Sequence, residues 1–302
     1  MRHKIGFIGL GEMGKWMAVN MTEKGFSVTV HDIDPRAMDF LREYGVEIAP
    51  TPAELARRSD WVFLSLPDIH IVRQVVWGDR GVAEGMKPGL ILIDLGTTSY
   101  LDTLKLAEEL GDRGIDFADA PVSGMKARAQ KAELTIMFGG RVEAFETVKP
   151  ALEAIGNLVL YVGRTGSGQL VKLVNQLLFN INVAAVAEIL PMAAKLGLDP
   201  EKVVQVATSG TGRSFAVEFF APRILEGKFQ EGYALKNAYK DMVSAAEICA
   251  HYRIPLPLTH AATTTYQMAL AEGYGDEAKG AMIKVFERIL GVEFRKYREN
   301  AL

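Results

Sequence analysis

The chain has 302 residues, of which 49% are hydrophobic and 24% charged. At roughly 150 residues per domain this length suggests two domains, and the composition excludes a disordered chain, a collagen and a disulfide-built miniprotein. A formal net charge of −3 gives no global attraction to nucleic acid or to an anionic membrane, so neither is an expected partner. One cysteine, Cys249, allows no internal disulfide, and the five histidines, His3, His31, His70, His251 and His260, lack metal-ligand spacing, so no metal is expected.

In chain order, Met1-Arg2-His3-Lys4 runs straight into an apolar stretch, Ile5-Gly6-Phe7-Ile8. A secretory signal needs a longer apolar core and a small-residue cleavage site, so a cytoplasmic protein is expected. Strands are predicted at Lys4–Gly9, Ser27–His31, Trp61–Leu66, Leu90–Leu95 and Asp116–Ala118. Amphipathic helices fit between them at Glu12–Lys24, Pro35–Glu43, Thr51–Arg58, Ile69–Trp77 and Tyr100–Arg113. This alternation implies a parallel sheet with helices on both faces, and strands so uniformly apolar suit burial from both sides. Leu134–Phe138 and Leu158–Val162, with a helix at Val142–Ile155 between them, are expected to complete the sheet.

The texture changes at Arg164-Thr165-Gly166-Ser167-Gly168, a small-residue hinge beyond which only helices are predicted. The first, Gln169–Leu196, is long and carries Pro191, expected to kink its last turns; Gly197 ends it. Its apolar run near Phe179–Ala194 is interrupted by Asn180, Asn182 and Glu188, which suits a buried helix and not a membrane span. Further helices fit Pro200–Ala207, Ala216–Glu226, Ala238–Tyr252, Leu258–Glu272 and Glu277–Leu290. The expected fold is therefore a Rossmann-type doubly wound α/β domain, residues 1–163, followed by an all-α domain, residues 164–302, built on a long interdomain helix.

Gly9-Leu10-Gly11-Glu12-Met13-Gly14 follows the first strand and opens the first helix. In that context G-x-G-x-x-G is the mark of a dinucleotide site. Gly9 permits the tight turn, Gly11 lets backbone approach a pyrophosphate, and Gly14 allows helix and strand to pack closely. The helix N-terminus then offers N–H groups to the phosphates. Asp32 ends the second strand 21 residues past Gly11, where an acid hydrogen-bonds ribose hydroxyls and repels a 2′-phosphate. NAD is favoured over NADP, although Arg36 is placed to reach a 2′-phosphate.

Leu66-Pro67 and Gly96-Thr97-Thr98 end two further strands at the carboxyl edge, where ligands bind in such sheets. Pro67 stops its strand and leaves open backbone; Thr97 brings a hydroxyl to a similar depth. Asp119-Ala120-Pro121-Val122-Ser123-Gly124 ends another, and its serine and glycine N–H suit a carboxylate. On the long helix Lys172, Asn175 and Gln176 share one face and are expected at the mouth of an interdomain cleft. A lysine whose pKa is lowered by burial can take the hydroxyl proton that accompanies hydride transfer, and its ammonium can return it. Lys240 offers a second cation, with Asp241 as a capping acid, and Arg213 in Ser209-Gly210-Thr211-Gly212-Arg213-Ser214 could hold an anionic substrate.

Taken together, these motifs resemble the β-hydroxyacid dehydrogenase family, which includes 3-hydroxyisobutyrate dehydrogenase, tartronate semialdehyde reductase and 2-(hydroxymethyl)glutarate dehydrogenase. Gly6 to Gly14, Leu66-Pro67-Asp68, Asp119 to Gly124, Lys172 to Gln176 and Lys240-Asp241 come in family order over essentially the whole chain. The resemblance implies Lys172 as catalytic acid/base, Asn175 orienting substrate or lysine, and Ser123 with the Gly124 N–H holding the substrate carboxylate. It places Leu66, Pro67, Thr97 and Lys240 on the nicotinamide side. It also implies homodimers or homotetramers formed largely through the helices. The expected activity is interconversion of a small 3-hydroxy acid and its semialdehyde, 3-hydroxyisobutyrate-like, with tartronate semialdehyde or 2-(hydroxymethyl)glutarate-type substrates as alternatives. Outside that class stands a non-catalytic dinucleotide sensor, which would need neither Lys172 nor Ser123. The segment after Ser123-Gly124 departs from the family: Met125 and Ala132 stand where glycines are usual, and Lys126 and Arg128 add cations able to pair with a further acidic group.

Overall fold

A computed structural model of the chain describes residues 3–296. It divides into two compact units, Met1–Lys172 and Leu173–Leu302. The division falls inside the long helix, after Lys172.

The first unit begins β1 (Lys4–Ile8), α1 (Gly14–Glu23), β2 (Ser27–His31), α2 (Pro35–Arg42), β3 (Glu47–Ile48), α3 (Pro52–Arg57) and β4 (Trp61–Leu64). It continues α4 (Ile69–Trp77), α5 (Val82–Gly85), β5 (Ile91–Asp94), α6 (Tyr100–Gly111), β6 (Asp116–Asp119), β7 (Val122–Ser123) and α7 (Met125–Gln130). The unit's last elements are β8 (Leu134–Gly139), α8 (Val142–Glu153), β9 (Gly156–Gly163) and the start of α9 (Ser167–Lys195). Among the described residues the strands form one nine-stranded sheet in the order β3-β2-β1-β4-β5-β6-β8-β7, with β9 paired to β8. The pairs from β3 to β6 and the pair β8–β9 are parallel, whereas β6 and β7 meet β8 antiparallel, so the sheet is parallel-dominated, in line with the expected doubly wound α/β fold.

Strand periodicity explains the layering. Ile5, Phe7, Trp61 and Phe63 point to one face and pack with Met17 and Met21 of α1 and Val148 of α8. Their neighbours Ile8, Val62 and Leu64 point to the other and pack with Leu55 of α3, Val72 of α4 and Leu106 of α6. Each such side chain, fully withdrawn from water, contributes about 1.5–3 kcal/mol of hydrophobic free energy. Helix starts are marked in the sequence: Asp34 accepts from the Arg36 N–H, Thr51 from the Glu54 N–H, Asp68 from the Ile71 N–H and Ser99 from the Asp102 N–H.

The second unit holds the rest of α9, then α10 (Pro200–Ser209), α11 (Phe215–Leu225), α12 (Leu235–Tyr252), α13 (Pro257–Ala271) and α14 (Ile283–Leu290). Val183, Ala187 and Leu190 of α9 join Phe220 and Ile224 of α11, Met242 of α12, Tyr266 of α13 and Ile283 of α14 in its core. By length and composition α9 would suffice to cross a bilayer; here those residues of it pack into this core. The helix runs through Pro191 to Lys195 without ending. The helix expected over Glu277–Leu290 is shortened: a 3-10 turn, Tyr274–Asp276, lies just before it, Lys279–Met282 is a second 3-10 turn, and only Ile283–Leu290 is α-helix. Ala278 between them is extended, bridges to Ala234 and donates its N–H to the Phe229 carbonyl, a tertiary pairing that outweighs local helix preference.

Candidate active site

Strand order reverses at β1, with β2 on one side and β4 on the other, so the crevice for a ligand opens beyond the carboxyl ends of β1 and β4. The glycine turn lies there. Gly9 has φ +95°, and a Cβ on it would come within 2.3 Å of the Ser65 carbonyl beyond β4. A Cβ on Gly14 would meet the Gly9 carbonyl oxygen at 1.9 Å, so only glycine lets α1 begin this close to β1. A Cβ on Gly11 would meet nothing within 4 Å. No side chain caps the first turn of α1, whose N-cap position is Met13. The turn is thus closed where it touches the sheet and open where an anion would approach, which fits a dinucleotide pyrophosphate. Leu10 is buried and donates its N–H to Asp32 Oδ2 at 2.6 Å, while the Asp34 N–H donates to Asp32 Oδ1 at 2.8 Å. Asp32 thereby ties the end of β2 to the glycine turn. Arg36 is held by Asp34, Nε to Oδ1 at 3.0 Å and Nη2 to Oδ2 at 2.9 Å. The guanidinium in turn keeps the Asp34 carboxyl below the usual carboxylate range.

Leu66 and Pro67 follow β4 by two and three residues, and Asp68 beyond them caps α4. Thr97 is half-buried in the loop between β5 and α6. The peptide groups on both sides of it are held: the Gly96 carbonyl accepts from Gln169 Nε2 at 2.9 Å, and the Thr98 N–H donates to Gln169 Oε1 at 3.1 Å. Gln169 lies in the first turn of α9 and is 2% exposed. That turn is also held by Asp119, at the end of β6, whose Oδ1 accepts from the Gly166 N–H at 2.6 Å and Oδ2 from the Gln169 N–H at 2.7 Å. Asp119 is fully buried beside Asp94, its partner across the β5–β6 pair. Burial pushes the Asp119 carboxyl up to about 7; the backbone N–H bonds oppose this and the charge of Asp94 adds to it. One turn beyond Gln169, Lys172 is buried, with 7% of its surface exposed.

Ser123 ends β7, paired with Thr135 of β8, and Gly124 has φ +147° with Arg128 and Leu134 packed where a Cβ would stand. Met125 follows at φ +59°, and Ala132 stands at φ +56°. Both positions, occupied by glycine in the family pattern, keep the left-handed backbone that glycine favours. Lys126 and Arg128 are engaged within the first unit: Lys126 Nζ pairs with Glu12 Oε2 at 2.8 Å, and Arg128 Nη2 donates to Asn157 Oδ1 at 3.3 Å. The Lys126 ammonium lowers the Glu12 carboxyl pKa. α7 is moored to α1 by a buried bond from Asn20 Nδ2 to the Ala129 carbonyl, 2.8 Å.

Asn175, in the second unit, is exposed; its Nδ2 lies 3.4 Å from Gln176 Oε1. Gln176 Nε2 donates to Asp241 Oδ2 at 3.1 Å. Asp241 is 3% exposed in the second turn of α12, so it does not cap that helix as expected; Ala234 occupies the N-cap and a capping acid would have to precede the first turn. Lys240, its neighbour, is half-buried. Arg213 is two-thirds exposed and its guanidinium is paired with Glu218 of α11. Sequence reasoning missed Gln169, Asp94 and the buried pair of Lys279 Nζ and Asn180 Oδ1, 2.8 Å apart. The side-chain partners of Gln169 and Asn180 lie 71 to 99 residues away and Asp94 meets Asp119 across a strand pair, and no local pattern carries that information.

Two family models cover the chain: the NAD binding domain of 6-phosphogluconate dehydrogenase over residues 4–163, and the NAD-binding domain of NADP-dependent 3-hydroxyisobutyrate dehydrogenase over residues 166–286. The chain is 39% identical over 290 residues to 2-(hydroxymethyl)glutarate dehydrogenase of Eubacterium barkeri, covering 96% of each. It is 32% identical to 2-hydroxy-3-oxopropionate reductase of Escherichia coli, covering 94% of this chain and 97% of that one. A Mycobacterium tuberculosis 3-hydroxyisobutyrate dehydrogenase solved with L-serine superposes with a TM-score of 0.85 at 28% identity, over 94% of this chain and 99% of that one.

Proposed function

The chain belongs to the β-hydroxyacid dehydrogenase family and is an NAD-binding oxidoreductase, and we propose on that premise that it interconverts a small 3-hydroxy acid and its semialdehyde. The observation that carries this reading is Lys172: a buried amine one turn into a helix whose first turn is fastened to the carboxyl edge of the dinucleotide-type sheet. When bound, the nicotinamide supplies the hydride acceptor or donor. Lys172 takes the proton from the substrate hydroxyl oxygen in oxidation and returns it to the carbonyl oxygen in reduction. The Ser123 hydroxyl and the Gly124 N–H hold the carboxylate, and Asn175, three residues beyond Lys172 on the same helix, orients the substrate. Gly9 to Gly14 and Asp32 hold the dinucleotide, with Leu66, Pro67, Thr97 and Lys240 on the nicotinamide side. The Arg213–Glu218 pair must open before Arg213 holds an anion. In this scheme residues 1–163 form the cofactor domain and residues 164–302 the substrate and assembly domain.

Several observations support the finer assignments. The Asp32 carboxylate beside the glycine turn and the Arg36–Asp34 pair favour NAD over NADP. The substrate reading keeps 3-hydroxyisobutyrate first, with 2-(hydroxymethyl)glutarate and tartronate semialdehyde as close alternatives. All three share a terminal alcohol or aldehyde carbon one carbon away from the carboxylate-bearing carbon and differ at that carbon, which carries a methyl, a carboxyethyl or a hydroxyl group, so one scaffold suits all three. The exposed row Val174, Leu178, Ile189, Met192 and Leu196 along α9 supports a homodimer or homotetramer, since contiguous apolar surface of this kind marks interfaces. A cytoplasmic location completes this reading.

The test is a panel of 3-hydroxyisobutyrate, glycerate, 3-hydroxypropionate, 2-(hydroxymethyl)glutarate and tartronate semialdehyde, followed by NADH absorbance with NAD and NADP in parallel. Turnover of at least one member is expected. Lys172→Ala should lower kcat by about 10²–10⁴-fold while dinucleotide affinity, measured by NADH fluorescence, stays within a few-fold. Turnover at the parent rate in that variant would remove lysine from the mechanism.

A further inference from the structure

The strongest unexplained feature of the first unit is the side chain of Gln169. It is 2% exposed, and both ends of its amide are used on one short loop. Nε2 donates to the Gly96 carbonyl at 2.9 Å and Oε1 accepts from the Thr98 N–H at 3.1 Å. These are the two peptide groups that flank Thr97. An amide that pairs with the carbonyl before a residue and the N–H after it reproduces what a neighbouring strand does for that residue. Gln169 therefore acts as a single rung of sheet, supplied by a helix, and it fixes the backbone on both sides of Thr97.

The other end of the rung is equally constrained. The Gln169 N–H donates to Asp119 Oδ2 at 2.7 Å, and the Gly166 N–H to Asp119 Oδ1 at 2.6 Å, so the first turn of α9 cannot slide or rotate freely against β6. A Cβ on Gly168 would meet the Met137 carbonyl at 2.3 Å, which shows how closely this turn seats on the sheet. Lys172 is three residues further along the helix and, like Gln169, lies on its buried side. The loop end is pinned independently by Asp94, which accepts from the Gly96 N–H at 2.8 Å and from Thr98 Oγ1 at 3.2 Å.

From this geometry we infer that Gln169 is a positioning residue that locks the Thr97 loop and the Lys172 helix turn into one rigid piece. The inference rests on the proposed roles of Thr97 on the nicotinamide side and Lys172 as acid/base. Under those roles, one side chain registers the hydride-transfer partner against the proton-transfer group. The amide is required. A glutamate at this position accepts from Thr98, but ionised it cannot donate to the Gly96 carbonyl, and it places a third carboxyl near Asp94 and Asp119. A methionine fills the same space and makes neither bond. Asparagine is one methylene too short.

The test uses the full-length protein with Gln169→Met and Gln169→Glu, beside Lys172→Ala, on whichever panel member the parent turns over fastest. Displacement of a reacting group by about 1 Å costs on the order of 100-fold in rate, so kcat in both Gln169 variants should fall by tens-fold to about 100-fold. NADH affinity by fluorescence should change less than threefold, and the acid limb of the kcat–pH profile should move, a change that simple loss of stability does not produce. In the parent protein, amide hydrogen exchange should show Thr98 and Gln169 protected together with the sheet. If Gln169→Met keeps the parent kcat and pH profile while Lys172→Ala is inactive, the inference falls and the lysine mechanism stands. If Lys172→Ala remains active, the mechanism falls instead. Should the variants not fold, rapid exchange of the Thr98 amide in the parent overturns the inference, and protection upholds it.

Discussion

Two helices of the first unit start at the carboxyl edge of the same sheet, and they start in opposite ways. At α1 no side chain caps the first turn, and the space in front of Gly11 is open. At α9 the first turn is doubly held by a fully buried carboxylate, and the next side chain is built into a neighbouring loop. Both N-termini carry the partial positive charge of an aligned helix. One leaves it for an incoming anion; the other neutralises it internally and becomes a rigid mount. The same local physics thus leaves one helix start open to a ligand and, under the proposed mechanism, makes the other a mount for the acid/base.

The contrast is broken most strongly at Asp119. Its native pKa of about 7 lies above the ordinary 3.8, so as pH rises an unfolded chain gives up this proton first. The contribution is whole below about pH 4 and lost by about pH 7, a change of at most about 4 kcal/mol. Asparagine has no such proton to lose. The stability difference between the parent and Asp119→Asn, from urea unfolding at constant ionic strength, should therefore narrow from pH 5 to pH 8. An unchanged difference would mean that the carboxyl titrates normally.

At α1 the two glycines should respond oppositely. Gly11→Asp has room for its side chain, so the melting temperature should hold while dinucleotide affinity falls at least about tenfold through charge repulsion at the phosphate position. Gly14→Ala drives a Cβ into the Gly9 carbonyl and should cost about 1–3 kcal/mol of stability. Both are read by thermal melts and NADH titration.

Two smaller changes sharpen the comparison at other helix starts. Met125 begins α7 at φ +59°, so Met125→Gly removes backbone strain but loosens the unfolded chain, for a net gain of about 0.5 kcal/mol in a thermal melt. Asp34 caps α2 and holds Arg36; Asp34→Ala should release the guanidinium and raise the NADP-to-NAD preference by less than about tenfold, measured as a ratio of kcat/KM values.

What the sequence makes legible follows the same division. The glycine turn can be read residue by residue, because φ at Gly9, approach at Gly11 and packing at Gly14 are local demands that only glycine meets. The long apolar strands are legible through their composition, whereas β3 and β7, two residues each, and the four-residue α5 are too short to show a period. The six-residue α7 is hidden further by the left-handed Met125 that opens it. Lys172 stands out by its neighbours, but the mount beneath it does not: Gln169 reads as an ordinary helix surface residue until the Gly96–Thr98 loop is brought against it. Asp241 misleads for a related reason, since near a helix start an acid reads as a cap, and only the fold shows it buried against Gln176.

The bond from Asn20 to the Ala129 carbonyl carries a consequence for how this scaffold can diversify. Because the short helix after Ser123-Gly124 hangs from the same rod that begins at Gly14, its main chain cannot wander without dragging the phosphate turn along. Change along this segment is therefore expected in the side chains at 125, 126 and 128, with the backbone route beneath them left as it is.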